Sequence, residues 1–95
     1  MTRNDIYEAV SRERDRQDRI HGPALEVRDI PRILGEEFGE VCAAINDREH
    51  RDRVREELIQ CAAVCLKAIE NIDRAPVARK YVDFSTGTLV KGGDE

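Results

Sequence analysis

The sequence predicts an all-α protein, a helical bundle of three main helices per chain followed by a C-terminal tail. Three observations carry that prediction. Apolar residues recur at helical spacing through two long segments. Gly22-Pro23 and Ala75-Pro76 punctuate the chain where such segments would end. The composition is charge-laced, with 38% charged residues against two Tyr, two Phe and no Trp, which suits helices better than a β-sandwich.

A chain of 95 residues makes one small domain, here expected over residues 1–76, with an arm over residues 77–95. So short a chain buries a limited core, and association between copies, as a homodimer or homotetramer, is expected to complete the bundle. The net charge of −4 supplies no basic field for nucleic acid. No apolar run approaches the length that crosses a bilayer, and the N-terminus lacks the basic-then-apolar layout of a secretory signal. These features set the expectation of a cytoplasmic protein without nucleic-acid or membrane partners. The three cysteines, Cys42, Cys61 and Cys65, lack framework spacing, so no disulfide scaffold is expected. They read as small buried residues.

The first helix is expected from a cap at Asn4 or Asp5 to about Ile20. Its apolar face is thin: Ile6, Val10 and Ile20. Glu13 and Gln17 continue that stripe, either as its polar end, which this helix taken alone favours, or as contributors to an interior polar site. Gly22 is placed to end the helix and Pro23 to forbid its continuation. The mixed runs Arg12–Arg19 and Arg48–Arg55 read as solvated faces with local ion pairs.

Residues 23–28 form a connection. Asp29 is a good N-cap with Pro31 in the first turn, and the second helix runs to Asn46 or Asp47. Its stripe is Ile30, Ile33, Leu34, Phe38, Val41, Ala44 and Ile45. Gly35 and Gly39 lie on the back face, where a close helix contact or simple tolerance would explain them. After a break at Asn46–His50 the third helix runs from about Arg51 to Asp73. Its main stripe is Val54, Leu58, Cys61, Cys65, Ala68, Ile69 and Ile72. Ile59 and Leu66 lie on another side, so this helix needs two partners. In the tail, Tyr81–Phe84 and Thr88–Val90 flank Ser85-Thr86-Gly87, as a small hairpin or an irregular arm. The final residues read as disordered.

Carboxylates interrupt the apolar faces. On a helical wheel Ile30, Leu34 and Val41 fall within about 60° of Glu37 on one side, and Ile33 and Ala44 within about 40° on the other. Glu37 therefore lies inside the stripe, and Glu40 follows one turn on. Glu57 is set among apolar residues in the same way, with Val54 and Cys61 at about 60° and 40° on one side and Val64 close on the other, and Gln60 lies one turn on. The short connection makes the two helices antiparallel neighbours, so the two polar pairs meet. Three carboxylates and one amide in an apolar seam repel one another unless a cation joins them. Oxygen ligands without His or Cys point to Mg²⁺ or Mn²⁺ rather than zinc.

The run Glu36-Glu37-x-x-Glu40, then sixteen residues (41 to 56), then Glu57-x-x-Gln60, resembles the MazG-like all-α nucleoside triphosphate pyrophosphohydrolases. Their pattern is E-E-x-x-E, a variable gap, then E-x-x-D. Glu13-Arg14-Asp15-Arg16-Gln17 with His21-Gly22 resembles the leader of small MazG-like proteins often carried by phages. The likeness covers roughly residues 10 to 72. It implies Mg²⁺-dependent hydrolysis of a nucleoside triphosphate to the monophosphate and pyrophosphate. It implies Glu37, Glu40 and Glu57 as metal ligands, with Glu36 orienting water or a ligand. Gln60 stands where the family has an aspartate, so the site loses one negative charge and holds Mg²⁺ more weakly.

Arg53, Lys67 and Asn71 lie on the same edge as Gln60, either as phosphate or base contacts or as ordinary surface residues. Gln17 and Glu13 reach the base or sugar if the first helix covers the site. Two other functions compete: a non-catalytic nucleotide- or metal-binding module, and a purely structural helical oligomer.

Overall fold

A computed structural model of the chain describes residues 1–74, 79–83 and 88–91. Three α-helices account for nearly all of the first stretch: α1 (Arg3–His21), α2 (Ile30–Asn46) and α3 (Arg51–Asp73). A two-stranded antiparallel ladder follows, β1 (Arg79–Asp83) paired with β2 (Thr88–Lys91), in the register Tyr81 to Val90 and Val82 to Leu89. The expected arm thus contains a hairpin-like pair. Its connecting residues and the final residues expected to be disordered lie outside the described residues. No described helix is long and apolar enough to cross a membrane.

The cap of α1 is Thr2, not Asn4 or Asp5. Thr2 accepts from the Asp5 backbone N–H at 3.1 Å, and Asp5 accepts from the Thr2 N–H at 2.9 Å. This reciprocal box satisfies two of the amides that a helix start leaves without partners, which a lone cap further in cannot do. Asp5 is held below its ordinary pKa by those bonds, led by the Thr2 backbone N–H. Gly22 ends α1 at φ 81°, ψ 161°, a conformation open essentially to glycine alone.

A 3₁₀ turn, Val27–Asp29, leads into α2. Asp29 occupies the cap position but accepts no capping bond with its side chain. The break between α2 and α3 turns on Arg48, whose φ of 54° is left-handed. His50 caps α3 by accepting from the Asp52 N–H at 3.1 Å.

α3 lies between α1 and α2 and packs on both, so α1 is one of the two partners it needs. The core is small: Ile30, Val41 and Ala44 from α2 meet Ala63, Val64 and Ala68 from α3. Much of the expected apolar stripe faces outward instead. Phe38 is 63% exposed, Leu58 51% and Ile69 55%. The side of α3 that turns inward carries Glu57, Val64, Lys67 and Ala68. The polar residues of that side find partners within the chain: Lys67 donates to the Gly22 carbonyl at the end of α1 and lies 3.6 Å from Asp18, and Glu57 meets Arg53 at 2.6 Å. At Gly35 and Gly39 a side chain would meet nothing within 4 Å among the described residues, so none of these requires either glycine.

Candidate functional site

Glu37 and Glu40 sit one turn apart on α2, and Glu57 faces them from α3. The three residues each offer a carboxylate oxygen, and these oxygens lie within 4.8 Å of one another. The three are not equally covered: Glu57 is buried, Glu37 is half-buried and Glu40 is exposed. Glu57 is 3% exposed. Among the described residues, neither Glu37 Oε2 nor Glu57 Oε2, both buried, has a hydrogen-bond donor. Native proteins rarely leave such oxygens unmatched, since each forfeits its hydration for nothing.

The electrostatics follow from that burial. Desolvation, then repulsion from Glu40, Glu57, Glu13 and Glu36, pushes the Glu37 carboxyl above its ordinary value. Glu57 is also raised, first by desolvation; Arg53 opposes this, and the adjoining Glu40 carboxyl adds to it. Two carboxylates share a hydrogen bond only when one of them holds a proton, so the pair attracts either protons or a cation.

Beside Glu37 a cavity of about 490 Å³ opens between α1, the 22–29 connection, α2 and the inner side of α3. Glu13, Gln17, Glu36, Glu37, Gln60 and Lys67, all expected at a site, line it together. Arg16, His21, Arg32 and Ile33 line it too. Glu40, Glu57, Arg53 and Asn71 are not part of this lining.

Gln17 resolves the alternatives left open for α1. It is buried, and its Nε2 donates to Glu13 Oε2 at 3.0 Å and to the Gln60 backbone carbonyl at 3.2 Å. Glu13 and Gln17 thus belong to an interior polar site. Arg16 grips Glu13 with two bonds of 2.9 Å and is the main reason its carboxyl lies below the ordinary value.

Lys67 and Asn71 spend their hydrogen bonds on the chain itself. Lys67 Nζ donates to the Gly22 carbonyl at 2.6 Å and lies 3.6 Å from Asp18. Asn71 accepts from the Leu25 N–H at 3.3 Å and donates to the Lys67 carbonyl at 2.8 Å. Arg53 Nη2 meets Glu57 Oε1 at 2.6 Å. Glu36 is an open wall residue, paired with Arg32 at 3.4 Å.

Sequence reasoning missed Arg14. It is buried, bonds Asp18 at 2.9 Å and also pairs with Glu70. Arg14 is the main reason that Asp18 lies below its ordinary value. Only the phase of Arg14 relative to Gln17 and Asp18 signals this, and the surrounding run of alternating charges hides it. Cys61 adjoins Glu37; burial first, then Cys65 and Glu37, push its thiol up. The candidate donor set among the described residues is three carboxylates, and oxygen ligands of this kind suit Mg²⁺ or Mn²⁺. No protein-family model, curated protein or solved structure matches this chain.

Proposed function

We propose that the protein is a divalent-metal-dependent nucleoside triphosphate pyrophosphohydrolase of the MazG-like type, working in the cytoplasm. One observation carries the reading: Glu37 Oε2 and Glu57 Oε2 are buried, without donors among the described residues, in a cluster of three carboxylates beside an open cavity. Glu37, Glu40 and Glu57 would hold Mg²⁺ or Mn²⁺. The bound ion supplies neutralisation of phosphate charge and orientation of the scissile bond.

The chain's own residues do the rest. Glu13 and Gln17 present polar groups to the base or sugar from the α1 wall. Glu36, beside Glu37 on the cavity wall, accepts a hydrogen bond from the attacking water and orients it. Lys67 and Asn71 hold the 22–25 segment in place as a wall. A volume of about 490 Å³ suits a nucleotide-sized ligand.

A second copy of the chain is the proposed cover for Phe38, Ile45, Leu58 and Ile69, giving the homodimer or homotetramer that completes the bundle. These side chains are exposed on α2 and α3, the two helices that carry the acidic cluster.

Gln60 favours a second reading, a nucleotide-binding module without turnover, because an amide supplies no charge where the resembling family has an aspartate. Purified protein with Mg²⁺ and a panel of nucleoside triphosphates decides between them. The expected result is pyrophosphate release from at least one. Calorimetric binding without release favours the module, and neither binding nor release refutes both.

A further inference from the structure

We infer that Arg53 is a positioning residue for the acidic centre: held on Glu57 Oε1, its guanidinium leaves Glu57 Oε2 aimed at the divalent ion. This rests on the metal-dependent reading above, and it gives Arg53 a task other than contacting substrate.

Arg53 precedes Glu57 by one turn of α3, and the two meet at 2.6 Å. Their surroundings differ sharply: the Arg53 side chain is 51% exposed and the Glu57 side chain 3%. The guanidinium therefore reaches in from the solvent edge to a buried acid. It is steadied from outside by Glu56 at 3.4 Å and Glu49 at 3.8 Å, both exposed.

The two oxygens of Glu57 are thereby made unequal. Oε1 has a short, charge-assisted partner. Oε2 is buried, has no donor among the described residues and belongs to the residue that faces Glu37 and Glu40. Free rotation about the last side-chain bond would exchange the two, and the bond to Arg53 resists that exchange. A carboxylate has lone pairs for both a guanidinium and an ion. The planar guanidinium keeps its charge at any ordinary pH. Ligating carboxylates commonly depend on such an outer partner. Arg53 is also absent from the cavity lining, where Lys67 and Glu13 stand.

Simple repulsion between a guanidinium and a dication predicts the opposite sign, so the direction of the effect is diagnostic. Mn²⁺ binding to the full chain is measured by calorimetry and by the resonance signal of free Mn²⁺. The unsubstituted chain is compared with Arg53→Met and Arg53→Lys, each checked for helicity and melting. The expected result is about 10-fold weaker Mn²⁺ binding in Arg53→Met. Most of that loss is recovered in Arg53→Lys, which keeps a charged donor. Should Arg53→Met prove unfolded, Arg53→Gln, which keeps a donor but no charge, is expected to bind more weakly as well. Mn²⁺ binding by a folded Arg53→Met or Arg53→Gln that equals or exceeds that of the unsubstituted chain overturns the role of Arg53 alone. No Mn²⁺ binding by the unsubstituted chain overturns the metal centre itself, and the inference with it.

Discussion

The Lys67 ammonium donates to the Gly22 carbonyl at 2.6 Å, so the middle of α3 fixes the point where α1 ends. Asp18 lies 3.6 Å from the same ammonium, and Asn71 one turn later accepts from Leu25. The turn that walls the cavity is therefore tied down at Gly22 and at Leu25, both times by α3.

Gly22→Ala tests this tie. At φ 81° and ψ 161° a β-carbon is strained even though no described residue lies within 4 Å of where it would stand. The expected loss is about 1–3 kcal/mol of unfolding free energy, read from urea titration. An unchanged midpoint would mean that the backbone relaxes freely there.

Divalent ions should stabilise the fold. At a Mg²⁺ concentration 100 times its Kd, linkage gives about 2.7 kcal/mol, a rise in Tm on the order of 10 °C for a domain of this size. Glu37→Gln and Glu57→Gln are expected to remove most of that rise while raising the Tm of the ion-free protein. A rise that persists in both variants would place the ion elsewhere.

Stability should also respond to pH through the same acids. The Glu37 and Glu57 carboxyls are raised from an ordinary 4.5, by burial first in both cases. Above 4.5 the folded chain keeps protons that the unfolded chain has released. Their stabilisation is complete below 4.5 and is lost as pH climbs through the raised values. Asp18 and Glu13, lowered by Arg14 and Arg16 respectively, act oppositely: their contribution is present above the ordinary 3.8 and 4.5 and is lost as pH falls through the lowered values. In divalent-free buffer, Glu57→Gln should therefore gain on the unsubstituted chain as pH rises from 4.5 toward neutrality. Parallel urea midpoints across that range would contradict the burial argument.

Gln60→Asp addresses the missing charge. Adding a fourth acid on the cavity wall that Glu37 also lines is expected to tighten Mn²⁺ binding by about tenfold, the effect of roughly 1.4 kcal/mol. It should also raise pyrophosphate release if the geometry supports turnover. Tighter binding with no release at all would favour the module reading.

Much of this was legible in the residues. The bounds of α3 follow from Arg51 and from the Asp73 end before Pro76, and the meeting of Glu37, Glu40 and Glu57 follows from wheel phase and a short connection. Thr2 escaped because a capping box is read only when both partners are considered, and Asn4 and Asp5 offered nearer caps. The inward face of α3 escaped for a deeper reason. Period alone points Leu58 and Ile69 inward, whereas the end of α1 brings Asp18 and the Gly22 carbonyl, which take up the Lys67 ammonium. Which side of a two-sided helix is covered depends on its neighbours, and no local pattern encodes that.

That inversion has a consequence for the newborn chain. α3 hides Glu57 and Lys67 and shows Leu58 and Ile69, so a solitary copy wears its oil outward. Each such side chain left in water forgoes about 1.5–3 kcal/mol of burial. Freshly synthesised copies would then be sticky for as long as they remain alone. A dye that brightens on greasy surfaces should light up dilute samples and dim as the protein is concentrated.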